Sequence, residues 1–301
     1  MGFVNQGRHV GTVGLQEAET LGGVEEFRTD SGTDYKIHTF TTSGTFEVVG
    51  TKPITMDILS IGGGGSAGGG GGGAGGMVVE QVALAAGVYD ITVGAGGSRG
   101  QPNIPQTRGD DTLFRFQGDS VTNVGVTDAF GGGAGSIEGP SGNGSGGSGS
   151  GSGGQGTSGQ GNNGGNFGGA CGSIRAGGGG GGAGSTGGNG GPIGGCAPCG
   201  GCGGGGPGGA GGSGLSNSYR TGSSVFYAGG GAGNGINLNP PAPDGNAVVD
   251  HGGGGRNVGL DAPANQGGGG GASGFVSPFS GNGGSGIVVI RAPFPAKDGI
   301  L

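Results

Sequence analysis

Glycine constrains this chain more than any other feature, because it occupies 97 of the 301 positions and lies largely in runs. Average usage is about 7%. Collagen reaches a similar glycine fraction, but it needs glycine at every third position and abundant proline. Here the runs are irregular, as at 62–65, 177–182 and 267–271, and only 14 residues are proline. The sequence therefore excludes a collagen triple helix.

Glycine runs can fold if they bury backbone against backbone, since every buried N–H and C=O needs a hydrogen-bond partner. A polyproline-II-type helix has about three residues per turn and no internal hydrogen bonds, so its polar groups point toward neighbouring helices. Glycine allows such helices to approach closely enough to bond. We therefore expect a polyglycine-II helix bundle over 131–285, with Ala and Ser on its outer edges. Disorder is the alternative, because glycine loses the most conformational entropy on folding.

Segments with β-strand character flank the glycine-rich region on both sides. The strongest are 35–40, 45–49, 54–58, 77–84 and 88–93, whereas 112–116 and 121–130 are weaker. A closing strand at 287–291 would pair with strands from 35–93 and make one domain of the glycine region. The predicted fold class is therefore all-β with a large polyglycine-II insertion. The predicted parts are an N-terminal arm or anchor at 1–34, strands with the first glycine run at 35–130, the helix bundle at 131–285, and the closing strand with its tail at 286–301.

Charged residues are few and scattered, and 12 basic against 19 acidic residues give a net charge of −7. Because there is no basic patch, we expect no binding of nucleic acid. The sequence contains no stretch of 18 consecutive apolar residues, so we expect no insertion into a membrane. The N-terminal sequence also lacks the apolar stretch of a secretory signal peptide, which predicts synthesis in a cytoplasm without export by that route.

Catalytic and cofactor-binding patterns do not stand out in the sequence. His9, His38 and His251 form no HExxH motif, and no GK[ST] phosphate-binding loop occurs. No nucleophile–histidine–acid set can be assigned. We therefore expect a protein that is not an enzyme and uses no cofactor.

The four cysteines leave three interpretations open. Cys196, Cys199 and Cys202 follow CxxCxxC spacing, which can ligate zinc or an iron–sulfur cluster, and Cys171 is the fourth thiol. In a helix of three residues per turn these thiols would lie along one edge, roughly 9 Å apart. That separation suits neither a shared metal nor a disulfide between neighbours. Small apolar thiols on a helix edge are the main interpretation; a disulfide to Cys171 and a metal site are the alternatives.

Islands with larger side chains interrupt the glycine runs at 215–227, 236–249, 257–264 and 275–279. In a helix bundle such islands would form loops at the helix ends, and exposed Tyr, Phe and Arg are typical of recognition surfaces. The alternative is that they pack under the bundle as small cores. The candidate contact residues are Asn217, Tyr219, Arg220, Asn239, Pro240, Pro241, Asn257, Phe275 and Phe279.

An ordered series of motifs carries a family resemblance. The series is FTTSGTF at 40–46, ILSIGGGG at 58–65, AGVYDITVGAGG at 86–97 and GGSGIVVIR at 283–291. Over about 35–292 the chain resembles the glycine-rich domain of virion proteins of tailed bacteriophages, cyanophages especially. The resemblance implies a jelly-roll or tumour-necrosis-factor-like sandwich of strands with packed polyglycine-II helices. Residues 1–34 match no tail-fibre anchor, so the attachment site is left open.

The resemblance implies a non-enzymatic structural protein on the surface of a virion. The expected form is a tail fibre or adhesin, with distal loops that contact a host receptor. The alternatives are a capsid decoration or head fibre anchored by residues 1–34, an ice-binding protein, or a spacer. The expected partners are other virion proteins through residues 1–34, a host surface receptor, and further copies of the chain in a homo-oligomer.

Overall fold

Every regular element in the described part of the chain is a β-strand, which confirms the all-β prediction. A computed structural model describes residues 19–99, 106–118, 124–135, 153–171, 174–192, 206–235, 259–273 and 280–294. The strands are β1 Glu19–Leu21, β2 Val24–Asp30, β3 Thr33–Phe40, β4 Gly44–Val49, β5 Ile54–Ile61, β6 Met77–Leu84, β7 Gly87–Thr92, β8 Leu113–Phe116, β9 Ala170–Cys171, β10 Ile174–Arg175, β11 Leu215–Asn217, β12 Val225–Tyr227 and β13 Ile287–Pro293.

Two antiparallel sheets form the body of the protein. One has the strand order β2-β3-β13-β5-β6, and the other has the order β1-β4-β7-β8. The closing strand β13 lies between β3 and β5, with Val288 opposite both Phe40 and Ser60. The prediction that 287–291 pairs with strands from 35–93 is therefore confirmed.

Two segments differ from the expected strand pattern. Residues 19–34, inside the predicted arm, form β1, β2 and the start of β3. The second weak strand, expected at 121–130, is wrong for the described residues 124–130. There only Ala129 makes an isolated bridge, to Thr112.

The central strands β5 and β13 of the five-stranded sheet are buried on both faces. Met56, Ile58 and Ile290 belong to a core shared with the four-stranded sheet, together with Phe46 and Phe114. The alternate residues of β5 and β13 face the other way and form a second core, whose largest members are Ile37, Leu59, Ile61, Ile287, Val289 and Tyr227. Burial on both faces explains why the run IVVI in β13 is continuously apolar rather than alternating.

The glycine segments are joined by backbone hydrogen bonds that repeat every three residues. Along 62–67, successive amides donate to 71–76, then to 107–110, then to 281–284, and the cycle begins again. The six bonds are Gly62 to Gly76, Gly63 to Asp110, Gly64 to Gly284, Gly65 to Gly73, Ser66 to Thr107 and Ala67 to Gly281, all between 2.8 and 3.2 Å. One segment therefore bonds to three neighbours in rotation.

Close approach of backbones is what requires glycine inside this array. A Cβ atom on Gly180 would lie 1.9 Å from the carbonyl oxygen of Gly72, and one on Gly64 would lie 1.9 Å from that of Gly268. Some interior positions do have room for a methyl group, because Ala67, Ala74, Ala176 and Ala232 are buried. The expectation that alanine lies on the outer edges of the bundle is therefore wrong at these positions.

Replacing an interior glycine by alanine should destabilise the protein strongly. We expect Gly180→Ala to lower the free energy of unfolding by at least about 2 kcal/mol, since a rigid carbonyl must move to admit the methyl group. Gly44→Ala is the control, because its Cβ would lie 3.6 Å from the Phe40 ring, an ordinary contact. Urea denaturation measures both variants. Equal midpoints for the two variants would contradict the role of close backbone approach.

A buried polar cluster joins β1 to β3 around His38, whose ring is fully buried. Its Nδ1 lies 2.7 Å from the Gly22 carbonyl oxygen, and its Nε2 lies 2.8 Å from the Thr20 hydroxyl. These partners assign the proton to Nδ1, which donates, while Nε2 accepts from Thr20. Burial lowers the pKa of His38 below its usual 6.5, although the Gly22 carbonyl and Glu25 oppose that change.

This lowered pKa predicts a loss of stability in mild acid. The unfolded chain takes up a proton on His38 near pH 6.5, whereas the folded ring does not. The free energy of unfolding therefore decreases as the pH falls from 6.5 toward the lowered pKa. The slope should not exceed about 1.4 kcal/mol per pH unit. Urea midpoints between pH 7.5 and pH 5 test this. His38→Asn, which keeps an amide donor for Gly22, should remove the slope; an unchanged slope in that variant refutes the assignment to His38.

Candidate functional site

The predicted loop at 215–227 is a β-hairpin that rests on the five-stranded sheet. Strands β11 and β12 pair, and the Tyr219 amide donates to the Asn217 side chain at 2.8 Å. The Arg28 guanidinium, from β2, donates to the carbonyl oxygens of Tyr219 (2.8 Å) and Arg220 (3.2 Å). The loop is therefore fixed by a residue about 190 positions earlier in the chain.

A second arginine, Arg291 of β13, also contacts the hairpin. The Arg291 guanidinium lies between two aromatic rings, 4.2 Å from the centre of Tyr35 and 4.3 Å from that of Tyr219. It also donates to Asp57 at 2.7 Å and to Asp30 at 3.3 Å. Burial alone would lower the pKa of Arg291, but the hydrogen bond to Asp57 raises it.

Asp30 links the two arginines, because it also accepts two hydrogen bonds from Arg28 at 2.8 and 2.9 Å. The hydrogen bond from Arg28 lowers the pKa of Asp30 despite some burial. Below this network Tyr227 is fully buried in the second core, where burial raises the pKa of its phenol and Arg220 opposes the rise. Such cation–π and charge-assisted contacts give a preorganised loop, since its side chains and backbone are both held.

The remaining predicted contact residues, Asn239, Pro240, Pro241, Asn257, Phe275 and Phe279, lie outside the described residues, as do Cys196, Cys199 and Cys202. Cys171 is described only as part of β9, which pairs with β10. Within the described ranges no group of three or more His, Cys, Asp or Glu could hold a metal ion.

At the far end of the glycine array, residues from several distant parts of the chain meet. Here the chain turns at 66–71, and we call this the loop end, as opposed to the sheet end where 62 and 76 join β5 and β6. Four residues from distant parts of the chain bond to this turn. They are Thr107, which accepts from Ser66 (3.2 Å), Gly135, which donates to Ser66 (2.8 Å), Asn234, which donates to Gly69 (3.3 Å), and Ser280, which donates to Gly68 (3.0 Å).

Three of the four predicted loops therefore fall into two groups. Those at 236–249 and 275–279 are connected to the array beside Asn234 and Ser280, at the loop end. The hairpin at 215–227 is at the sheet end, where Arg28 and Arg291 hold it. Sequence reasoning treated the islands as one set, because it could not tell at which end of the array each one lies.

An aromatic cavity at the edge of the five-stranded sheet was missed by the sequence analysis. It has a volume of about 370 Å³ and is lined by Phe27, Arg28, Thr29, Asp34, Tyr35 and Phe294. The Phe27 and Phe294 rings meet edge to face, 5.0 Å between centres, and Phe27 is 60% exposed. The available signal was a phenylalanine between charged residues in a segment that was interpreted as an arm.

Loss of the hydrogen bonds from the Arg28 guanidinium to the Tyr219 and Arg220 carbonyls should make the hairpin less stable. We expect Arg28→Lys to speed hydrogen exchange of the Tyr219 and Gly222 amides by about tenfold or more, because charge-assisted bonds contribute about 1.5–3 kcal/mol. Both amides are hydrogen-bonded within the hairpin, to Asn217 and Ser218. Arg108→Lys is the control, since Arg108 is half exposed and, among the described residues, contacts its near neighbours, pairing with Asp111 and donating to the Gly109 carbonyl. Unchanged exchange in Arg28→Lys would show that Arg291 and the second core hold the hairpin in place without Arg28.

Comparison with known families assigns the chain to a family. A family model described as a glycine-rich domain matches residues 41–293, which is more than half of the chain. No curated protein matches the chain. The described residues include no helix with the length and apolar character needed to cross a membrane.

Proposed function

Because the chain belongs to the glycine-rich domain family, we propose that it is a non-enzymatic structural protein of a phage particle. It is a tail-fibre or adhesin-type appendage on the particle surface. Its loop end contacts the receptor on the host cell, and other virion proteins hold it through residues 1–34. The motif series from 40 to 291 supports this assignment, since it resembles that of phage virion proteins.

The observation that carries the proposal is the meeting of four distant parts of the chain at the loop end. Thr107, Gly135, Asn234 and Ser280 come from four distant parts of the chain, yet all bond to the turn at 66–71. A surface built from several independent loops on a rigid scaffold is typical of recognition proteins. The scaffold lies between this surface and the two sheets, which suits an appendage attached at one end.

We further propose that the glycine segments are polyglycine-II helices and that the two sheets form a jelly-roll-like sandwich. The three-residue repeat of the hydrogen bonds along 62–67 supports the first assignment, because that helix has three residues per turn. The segment at 71–76 repeats the pattern, with Gly71 and Ala74 donating to Gly178 and Gly181. Two antiparallel sheets around one core support the second assignment.

Labelling of virions tests the location. An epitope tag inserted at 236–258 and detected by immunogold electron microscopy should mark the tips of tails or fibres. The matched control is the same tag at the hairpin tip, residues 221–224, at the sheet end. Label spread over the head would refute the adhesin proposal and favour a capsid decoration.

Loop exchange tests the receptor contact. Replacing 236–258 or 274–279 by the corresponding loops of a relative with another host should change host range, while thermal stability stays near that of the parent. Exchange of the hairpin tip is the control and should leave host range unchanged. Unaltered host range after exchange of every loop at the loop end would overturn the proposal.

A further inference from the structure

Among the described residues, strand β2 is an open edge of the five-stranded sheet and pairs with β3 alone. Within the described residues, no hydrogen bond from outside the sheet reaches the backbone of 24–30. Val24 and Phe27 are 70% and 60% exposed on this strand. An edge with unpaired N–H and C=O groups is a template for pairing with another strand.

We propose that two copies of this chain pair through β2, antiparallel and centred on Phe27. A twofold axis perpendicular to the sheet keeps each side chain on its own face. The residue at the centre must therefore lie opposite itself. This condition leaves only a few registers for a seven-residue strand, and the charges on β2 distinguish between them.

Charge and the ion pairs already present favour one register. A centre at Glu25 or Glu26 would place glutamate opposite glutamate, and a centre at Arg28 would place arginine opposite arginine, which is destabilising. A centre at Thr29 would place Arg28 opposite Asp30 of the partner subunit, but these two groups already pair within one subunit, with Arg28 Nε 2.8 Å from Asp30 Oδ1. A centre at Phe27 places Glu26 opposite Arg28 of the partner subunit, twice by symmetry, and Phe27 opposite the partner's Phe27. Glu26 is exposed and makes no ion pair with a described residue, while Arg28 is fixed in place by Asp30 and the hairpin.

The surroundings of Phe27 suit an apolar contact. Phe294 already packs edge to face on its ring, and the Lys36 ammonium lies 5.8 Å from the ring centre. The aromatic cavity beside it continues this surface toward Tyr35. The partner's Phe27 would cover the exposed part of the ring, and aromatic cross-strand pairs favour strand association. The pairing uses 24–30, so it leaves the rest of residues 1–34 for the proposed attachment to other virion proteins.

Sedimentation of the full chain over a wide concentration range tests the pairing. The wild-type protein should form a dimer. Glu26→Arg should raise the dimer dissociation constant at least about tenfold, because two attractive pairs become two repulsive ones. Glu47→Arg is the matched control, since Glu47 is equally exposed but lies on β4 of the other sheet, and it should sediment like the wild type.

A cysteine at the centre of the register tests the geometry without relying on charge. Oxidation should cross-link Phe27→Cys into a dimer, because directly opposite Cβ atoms lie about 4.5–5.5 Å apart. Thr29→Cys would face Glu25 of the partner subunit and should cross-link no more than the wild-type chain with its four native cysteines. A monomer at all concentrations, equal cross-linking of the two variants, or a dimer that Glu26→Arg leaves intact would overturn the proposal.

Discussion

Hydrogen bonds between the backbones of neighbouring glycine segments are the interaction on which the rest of this structure depends. Ordering one residue costs about 1–2 kcal/mol, whereas one such bond contributes about 1 kcal/mol net. A glycine segment is therefore stable only when it bonds to several neighbours at once. The segment at 71–76 meets this condition, since it donates to three segments and accepts from Gly65 and Gly231 in two others. That density requires backbones so close that a Cβ on Gly72 would lie 2.1 Å from a carbonyl oxygen.

The two sheets set the position of the array, because its segments continue directly from strands. β5 runs into 62 and β6 begins after 76, while 281–286 leads into β13. Thr112 fastens the junction: its hydroxyl donates to the Ile61 carbonyl at 2.7 Å and accepts from the Gly94 amide at 2.9 Å. Since β13 lies between β3 and β5, residues from both ends of the described chain must be in place before the sheet that supports the array is complete.

The sequence predicted the features that depend on local pattern. The alternation at 54–58 and the apolar run at 287–290 indicated β5 and β13, and glycine runs indicated backbone packing. It did not predict β2, because Glu25, Glu26 and Arg28 make this segment look like a solvated arm. It also placed alanine at the outer edges, since glycine content alone does not show which interior positions, such as Ala74, leave room for a methyl group. The hydrogen bonds from Arg28 to the loop at 218–220 connect residues that are about 190 positions apart, and no local pattern in the sequence reveals such a contact.

When the interior is made of backbone, a loop can change its sequence without disturbing the packing beneath it. A core made of side chains links the two. In a conventional core, a changed loop must keep the packing of the side chains beneath it. Here most bonds under the loop end are made by backbone groups, with the Ser280 hydroxyl as an exception, and the backbone bonds do not depend on which residues join them. The hairpin at the sheet end is the opposite case, because Tyr219 and Tyr227 pack into the second core and Arg28 holds its carbonyls. Variation is therefore least constrained at the loop end, where we propose that recognition takes place.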